Sequence, residues 1–124
     1  MELSYRFGFD AAHHFAHFPP GHPNHGMHGH SFQVEVAVRG EPDPGTGFII
    51  DFTELERACT EVRGALDHRV LNEVEGLAQP SLENLCSWIW LRLAPRLPFL
   101  SRVTVRRDSS GQSCSYTGDS QPEE

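Results

Sequence analysis

Two stretches near the start of the chain alternate between apolar and polar side chains, which is the period of a β-strand. Residues 2–9 and residues 31–39 show this alternation throughout. The apolar positions that would share one face are Leu3, Tyr5, Phe7 and Phe9 in the first stretch and Phe32, Val34, Val36 and Val38 in the second. The pattern predicts two strands, each with one buried face.

Helical periodicity replaces strand periodicity in the middle of the chain. Thr53 and the glutamate three residues later have the spacing of a capping box, and the apolar residues that follow recur at helical spacing, which predicts a helix over 53–66. Ser81 is a typical N-cap, and Glu83 lies in the first turn, where a negative charge favours the helix dipole. A second helix is therefore predicted from Ser81 to about Pro95.

The remaining pattern completes one domain. Residues 103–107 and 113–118 have the composition of strands around a polar turn, and residues 119–124 predict a flexible acidic tail. The order of two strands, two helices and two strands is typical of an α+β domain with an antiparallel sheet and its helices on one face. We therefore predict a single domain over residues 1–118.

The charge of the chain argues against two classes of partner. The formal net charge is −7, and the ten basic residues are all arginines, spread along the chain. Nucleic acids and membrane surfaces need clustered positive charge, so we expect neither as a partner. No membrane span or secretory signal is predicted, and the three widely spaced cysteines match no disulfide framework or paired-cysteine zinc motif. We expect a cytoplasmic protein whose cysteines are small buried residues.

Histidines are concentrated near the N-terminus. His28 and His30 precede the second predicted strand at positions i and i+2, so their imidazoles project from one side of an extended backbone. His13 follows the first predicted strand and would lie beside them in an antiparallel pair. Three neutral imidazoles with an open position are typical of a catalytic zinc site. The alternative is a solvent-exposed histidine loop that binds metal adventitiously.

Several motifs extend this picture over the chain from Phe9 to about Tyr116. They are "FDAAHH" (9–14), "HGHSF" (28–32), "GFIIDFTEL" (47–55), "LDHRVLN" (66–72), "QPSLENL" (79–85) and "WIW" (88–90). Their order and spacing resemble those of the 6-pyruvoyl-tetrahydropterin synthase and 6-carboxy-tetrahydropterin synthase family, within it the bacterial 6-carboxy-tetrahydropterin synthases of queuosine biosynthesis. The resemblance implies the T-fold, a four-stranded antiparallel sheet with two helices on one face. It also implies a homohexamer of two trimers with active sites between subunits.

The resemblance implies a reaction and a set of site residues. The implied reaction converts 7,8-dihydroneopterin triphosphate to 6-carboxy-tetrahydropterin, with release of acetaldehyde and triphosphate. The matched positions are His13, His28 and His30 as ligands of Zn²⁺ and Asp67 and His68 as the acid–base pair. Ser81 lies where the family usually has a threonine near the pterin, and Glu83 is expected to contact the substrate as well. Asp67 would make His68 more basic, so that the imidazole can move protons.

The chain departs from the family at a catalytic cysteine, which the family places shortly before the HGH motif. The two spacings found in the family put this position at Asn24 or at His22, and neither is cysteine. Asparagine has no proton-accepting state near neutral pH, whereas histidine has one. His22 and His25 are therefore the candidates for a substituted base. The alternative is that their loop is exposed and has no catalytic role.

A second departure concerns the glutamate with which the family holds the pterin ring on its third strand. An ungapped comparison places Arg107 there, and a guanidinium cannot accept the hydrogen bonds that the ring donates. Asp108 would serve if a one-residue bulge turned it towards the ligand. Three functions stay open: the 6-carboxy-tetrahydropterin synthase reaction, a different zinc-dependent pterin lyase reaction, and pterin binding without catalysis.

Overall fold

A single antiparallel sheet carries two helices. The computed structural model describes residues 1–118, so the predicted tail at 119–124 lies outside the described residues. The elements are β1 (Glu2–His13), β2 (His28–Arg39), α1 (Phe52–Leu66), α2 (Leu82–Leu93), β3 (Leu100–Arg107) and β4 (Gln112–Tyr116). The strands lie in the order β1-β2-β3-β4, which confirms the predicted α+β class. Neither helix of this part is long and apolar enough to cross a membrane.

The two N-terminal strands extend beyond the residues predicted from alternation. β1 and β2 pair in continuous register, from Glu2 opposite Arg39 to His13 opposite His28. The expectation that the HGH motif precedes the second strand is therefore wrong. The strand continues through the motif because each strand supplies hydrogen-bonding partners to the other as far as these histidines.

The helix starts agree with the sequence in one case and differ in the other. Asp51 caps α1, and its carboxylate accepts a hydrogen bond from the Thr53 N–H at 2.9 Å. The prediction of Thr53 as the cap is wrong, because an anionic cap two residues earlier already satisfies this amide and favours the helix dipole. α2 is capped as predicted, with the Ser81 hydroxyl accepting from the Asn84 N–H at 3.1 Å.

The sheet has an apolar face and a polar face. Phe9 and Phe32 stack on the apolar face with ring centroids 4.9 Å apart. Buried helix residues that pack in the same core include Leu55, Leu66, Leu85 and Ile89. Because side chains alternate along a strand, His28, His30 and Arg107 continue the apolar face at one end of the sheet, beyond the core.

Candidate active site

Three histidines from β1 and β2 come together at that end of the apolar face. His13 lies opposite His28 in the sheet register, and His30 is two residues further along the same face. Ring centroids are 4.6 Å apart for His13 and His28 and 4.9 Å apart for each of the other two pairs. One nitrogen from each ring lies within 4.8 Å of the others. Three ligand atoms this close together could hold one metal ion.

The hydrogen bonds of His13 and His28 leave one nitrogen lone pair free in each of these two rings. Nδ1 of His13 donates to the Pro80 carbonyl at 3.2 Å, and Nδ1 of His28 donates to the Gly26 carbonyl at 2.8 Å. A carbonyl only accepts, so Nδ1 carries the proton in both rings and Nε2 presents the lone pair. Nε2 of His13 is buried without a hydrogen-bond partner among the described residues. A backbone carbonyl behind the imidazole is a usual second contact of a zinc ligand, so the donor set fits Zn²⁺.

Burial favours the neutral form of two of the three rings, His13 and His30. The pKa of His13 is lowered to about 4, first by burial and then by the positive charge that His28 would carry. The pKa of His30 is also lowered, first by burial and then by the charge of Arg107. Neutral imidazole is the form that binds a metal ion, so these two rings need lose no proton at neutral pH.

Arg107 lies against the cluster. One terminal nitrogen of its guanidinium donates to Nε2 of His30 at 3.3 Å, and the other donates to Oε1 of Gln112 at 2.6 Å. Burial lowers the pKa of Arg107, and the negative charge of Glu83 opposes that effect. A metal ion bound at Nε2 of His30 would replace the first of these hydrogen bonds.

A cavity of about 580 Å³ opens beside the cluster. It lies between the end of the sheet, the start of α2 and the loop that joins β1 to β2. The sequence-predicted site residues that line it are Asn24, His30, Ser81, Glu83 and Arg107. Residues from three separate parts of the chain therefore meet at one site.

Asp108 does not line this cavity. Its carboxylate accepts hydrogen bonds from the Arg106 guanidinium at 3.0 and 3.3 Å, and these bonds lower the pKa of the carboxyl. β3 and β4 keep a regular register to the end, where Arg107 lies opposite Gln112. The bulge that would turn Asp108 towards the ligand is absent from this pairing, so the side chain at position 107 faces the histidines.

The two histidines predicted as a substituted base lie behind the cavity wall at Phe18. The ring of His22 stacks on Phe18 with centroids 4.1 Å apart, and its Nδ1 accepts the Asn24 N–H at 3.0 Å. Nδ1 of His25 donates to the Phe18 carbonyl at 2.7 Å. The Nε2 lone pair of His25 is therefore available, whereas the lone pair of His22 is already engaged.

His17 and Gln112 are among the lining residues that were not predicted as site residues from the sequence. His17 is exposed, as expected of a surface residue, yet it lines the cavity with its ring centroid 4.4 Å from that of Phe18. Its sequence signal is the aromatic run at 15–18. Gln112 lines the cavity because it pairs with Arg107, and only the register of the hairpin reveals this relation.

Asp67 and His68 lie where α1 ends, beside the edge of β1. Oδ2 of Asp67 is 3.0 Å from Nδ1 of His68, and Oδ1 accepts the Asp10 N–H at 3.0 Å. The Asp10 hydrogen bond lowers the pKa of Asp67, and the His68 side chain and Arg63 act in the same direction. The ionised carboxylate orients the imidazole and leaves its Nε2 free for proton transfer.

The backbone of His68 is strained. Its φ is +60°, in the left-handed region, and its side chain is 79% exposed. Its N–H donates to the Asp10 carbonyl at 2.7 Å, which holds it in this conformation. Residues held in sparsely populated backbone regions cluster at functional sites.

The Asp67–His68 pair and the histidine cluster face opposite sides of the sheet. Asp10 and Ser31 pair across β1 and β2, and the Ser31 hydroxyl donates to Asp10 at 2.5 Å. Because Ser31 alternates with His30, these two side chains belong to the polar face. Asp67 and His68 lie beside Asp10. The sheet therefore separates the pair from the cavity of the same chain.

These features define a class of protein: an α+β domain with one antiparallel sheet, a three-imidazole cluster suited to a metal ion, and an exposed, carboxylate-oriented histidine. The model of the 6-pyruvoyl tetrahydropterin synthase family matches residues 2–119. The chain belongs to this family.

Individual relatives are consistent with this assignment. The chain is 37% identical over 96 residues to dihydroneopterin monophosphate aldolase from Pyrococcus furiosus, with 77% of each chain covered. It is 34% identical over 105 residues to 6-carboxy-5,6,7,8-tetrahydropterin synthase from Synechocystis sp., with 80% of each covered. The structure of 6-pyruvoyl tetrahydropterin synthase from Caenorhabditis elegans superposes with a TM-score of 0.85 at 24% identity, over 96% of both chains. The predicted T-fold is thereby confirmed.

Proposed function

We propose that the protein is a zinc-dependent lyase that converts 7,8-dihydroneopterin triphosphate and water to 6-carboxy-tetrahydropterin, acetaldehyde and triphosphate. The observation that carries this proposal is the convergence of His13, His28 and His30, with nitrogens within 4.8 Å of one another, beside a cavity of about 580 Å³. The Synechocystis relative, named for this product, supports the choice of reaction. The proposed product would then serve queuosine biosynthesis.

The three histidines would hold the zinc ion. When bound there, Zn²⁺ supplies a Lewis acid that makes a hydroxyl of the substrate side chain more acidic. His13 contributes a buried lone pair, fixed in direction by Pro80, and His28 contributes one fixed by Gly26. Both carbonyl contacts keep the proton on Nδ1, so Nε2 stays available to the metal.

The pterin ring would bind at the start of α2. Among the described residues that line the cavity, Glu83 is the one carboxylate, and it is exposed to solvent. A carboxylate accepts the paired N–H groups of the ring, a role that the guanidinium of Arg107 cannot take. Ser81 lines the cavity beside Glu83 and offers a hydroxyl to the same ring.

Proton removal from the substrate side chain needs a base in place of the family's cysteine. We rank His17 first, because its ring lines the cavity, and His25 second, because its Nε2 is free. His22 ranks third, because its Nδ1 lone pair accepts a hydrogen bond from Asn24. The side chain of Asn24 lines the cavity but takes up no proton near neutral pH.

A neighbouring copy of the chain would supply the acid–base pair. Asp67 and His68 lie on the other side of the sheet from the histidine cluster, so they serve a site completed across a subunit boundary. β1 and β4 are the outermost strands of the sheet, and edge strands pair readily with another chain. We propose the homohexamer of two trimers that the resemblance implies. Its compartment would be the cytoplasm, where free cysteines such as those of this chain stay reduced.

An aldolase reaction is the second candidate. The Pyrococcus furiosus relative is named for it, and the cavity lacks the cysteine of the first reaction. In an aldol cleavage a base takes the proton of the second side-chain hydroxyl, the bond between the first two side-chain carbons breaks, and an acid protonates the carbon next to the ring. The products are a 6-hydroxymethyl dihydropterin and a phosphorylated two-carbon aldehyde.

Product analysis decides between these reactions. Zinc-quantified protein is incubated with 7,8-dihydroneopterin triphosphate and separately with the monophosphate, and products are identified by mass. Acetaldehyde with 6-carboxy-tetrahydropterin supports the first proposal, and the hydroxymethyl product supports the second. Binding of either substrate without a product would leave pterin binding alone as the function. A gain of activity in Asn24→Cys over an inert wild type would show that the natural chain has left the first reaction.

A further inference from the structure

The charge of Arg107 is not neutralised inside the cavity. The two atoms that its guanidinium contacts, Nε2 of His30 at 3.3 Å and Oε1 of Gln112 at 2.6 Å, are both neutral acceptors. Over residues 1–118, no carboxylate oxygen approaches this guanidinium within the 4.0 Å of an ion pair. Glu83 lines the same cavity without reaching it. A half-buried cation without a counter-ion is costly unless a ligand supplies one.

The neighbouring Arg106 gives an internal comparison. It belongs to the same strand, points to the opposite face, and is held by Asp108 at 3.0 and 3.3 Å. Of these two consecutive arginines, Arg106 has a carboxylate partner. Arg107, which has none among residues 1–118, faces the cavity.

The guanidinium of Arg107 is held in place, and some of its N–H groups have no hydrogen-bond partner in the described part of the chain. Of its five N–H groups, one from each terminal nitrogen is used, towards His30 and towards Gln112. Nε is buried and has no partner in the described part of the chain. The Ser110 hydroxyl also donates to Oε1 of Gln112, at 3.3 Å, so the amide that orients the guanidinium is itself fixed. Gln112 is therefore a positioning residue for Arg107.

We propose that Arg107 binds an oxyanion of the ligand, a phosphate or a carboxylate, and thereby selects anionic pterins over neutral ones. This specificity rests on the proposed function only in assuming that the cavity binds a pterin. The free terminal N–H groups of Arg107 donate to the oxyanion, and Gln112 holds the guanidinium in the orientation for that contact. Guanidinium groups match the geometry of both anions.

An oxyanion fits this position better than the ring does. The oxygen and nitrogen acceptors of a pterin ring are neutral and would leave the charge of Arg107 uncompensated, as His30 and Gln112 already do. A phosphate or carboxylate on the side chain at C6 supplies the missing negative charge. Glu83 has the opposite preference, for the donor groups of the ring. Glu83 would therefore contact the ring, and Arg107 would contact the anionic group on the side chain.

Calorimetric binding measurements on the intact protein test this assignment. The ligands are 7,8-dihydroneopterin triphosphate, pterin-6-carboxylate and, as the neutral probe, 7,8-dihydroneopterin. The variants are Arg107→Ala, Arg107→Lys and, as the matched control, Arg106→Ala. We expect Arg107→Ala to weaken binding of an anionic ligand roughly tenfold to hundredfold, the scale of a lost charge-assisted hydrogen bond, and to leave the neutral ligand unchanged. The control should leave all three affinities unchanged.

The two anionic ligands separate the two sources of the oxyanion. A loss confined to the triphosphate assigns Arg107 to phosphate, and a loss confined to pterin-6-carboxylate assigns it to a carboxylate. Equal weakening of neutral and anionic ligands by Arg107→Ala, or the same loss in Arg106→Ala, overturns the proposal. Arg107→Lys keeps a cation of similar length, so it answers the question if the alanine variant folds poorly: unaltered affinity for both anions contradicts a role of the guanidinium geometry.

The proposed role of Arg107 and the proposed reaction can be refuted independently by these measurements. A wild-type protein that shows Arg107-dependent selectivity but forms no product refutes the proposed reaction and leaves the assignment of Arg107 standing. A protein that forms product, with affinities that Arg107→Ala leaves unchanged, refutes the assignment and leaves the reaction standing.

Discussion

The main-chain N–H of Asp10 donates to the carboxylate of Asp67 at 3.0 Å, and the Asp10 carbonyl accepts the main-chain N–H of His68 at 2.7 Å. A single residue of β1 thus holds both Asp67 and His68 through its backbone. The pair is thereby fixed to the strand that also carries His13. The geometry of the two chemical groups is set by one element.

Replacement of Asp67 by asparagine should change how stability depends on pH. Hydrogen bonds from Asp10 and His68, with the charge of Arg63, lower the pKa of Asp67 below its ordinary value of 3.8. The stabilisation is therefore present above the unfolded pKa and is lost as the pH falls through the lower, folded pKa. We expect the wild type to be the more stable protein at pH 7 and the difference to shrink in acid. Denaturant titrations from pH 7 to pH 3 measure it, and a difference that does not change with pH contradicts this account.

His68→Gly should separate stability from activity. The left-handed backbone at His68 costs a residue with a Cβ about 1–2 kcal/mol, and glycine avoids that cost but loses about 0.5–1 kcal/mol of chain entropy. We expect stability to stay level or rise by up to about 1.5 kcal/mol while turnover is lost. Arg69→Gly is the matched control, because Arg69 has no positive φ and should only lose stability. Equal losses of stability in both variants would show that His68 is not strained.

Zinc should bind to and stabilise the wild-type protein and fail to do so in His13→Ala. Nε2 of His13 is buried without a partner in the described residues, so its removal deletes one ligand. At a zinc concentration 100 times the Kd, the expected gain is about 2.7 kcal/mol. Thermal unfolding with zinc or with a chelator measures this gain, and a competing chromophoric chelator gives the affinity. His14→Ala is the control, and an equal loss of zinc binding there would contradict the assigned ligand.

Alkylation of cysteines should leave activity intact. Burial raises the pKa of Cys59 and of Cys86 to about 12, with smaller contributions from neighbouring negative groups, and neither residue lines the cavity. A protonated, buried thiol reacts slowly. Mass spectrometry after iodoacetamide treatment should find both thiols unmodified in native protein and modified in urea. Turnover that falls in step with alkylation of either thiol would return a cysteine to the mechanism.

Asn72→Ala should destabilise the wall beside the histidine cluster. The Asn72 amide accepts the N–H of His14 at 3.0 Å and donates to its carbonyl at 2.9 Å. The loss of both bonds leaves two backbone groups without partners, at a cost of roughly 1–3 kcal/mol. Denaturant unfolding measures the cost. The control is Asn84→Ala, which removes one side-chain hydrogen bond to Gln79 at an exposed position and should cost less; an equal cost would contradict the role of Asn72.

The fold was predictable from the sequence where neighbouring residues along the chain decide the local secondary structure. Alternation in β1 and β2 and the N-cap at Ser81 were sufficient to predict two strands and a helix start, because each depends on neighbours in sequence. The last residues of β1 and the first residues of β2 were not predicted, because the strands continue there only through the hydrogen bonds that each strand supplies to the other. Asp51 was missed as the cap of α1 because Asp51 and Thr53, two residues apart, are both typical capping residues, and only the main-chain geometry shows that the Asp51 carboxylate accepts the Thr53 N–H.

The sequence by itself determined which chemical groups the chain carries. They are the imidazoles of His13, His28 and His30 and the Asp67–His68 pair, and other residues replace the family's cysteine and glutamate. Tertiary structure alone decided where these groups face. The register of β3 and β4 turned Arg107 rather than Asp108 towards His30, the loop fold brought His17 to the cavity, and the contacts with Asp10 placed His68 on the opposite face from the cluster. The physical reason is that residue type sets what a side chain can bind, whereas its direction depends on hydrogen-bond register and packing between segments that are distant in sequence.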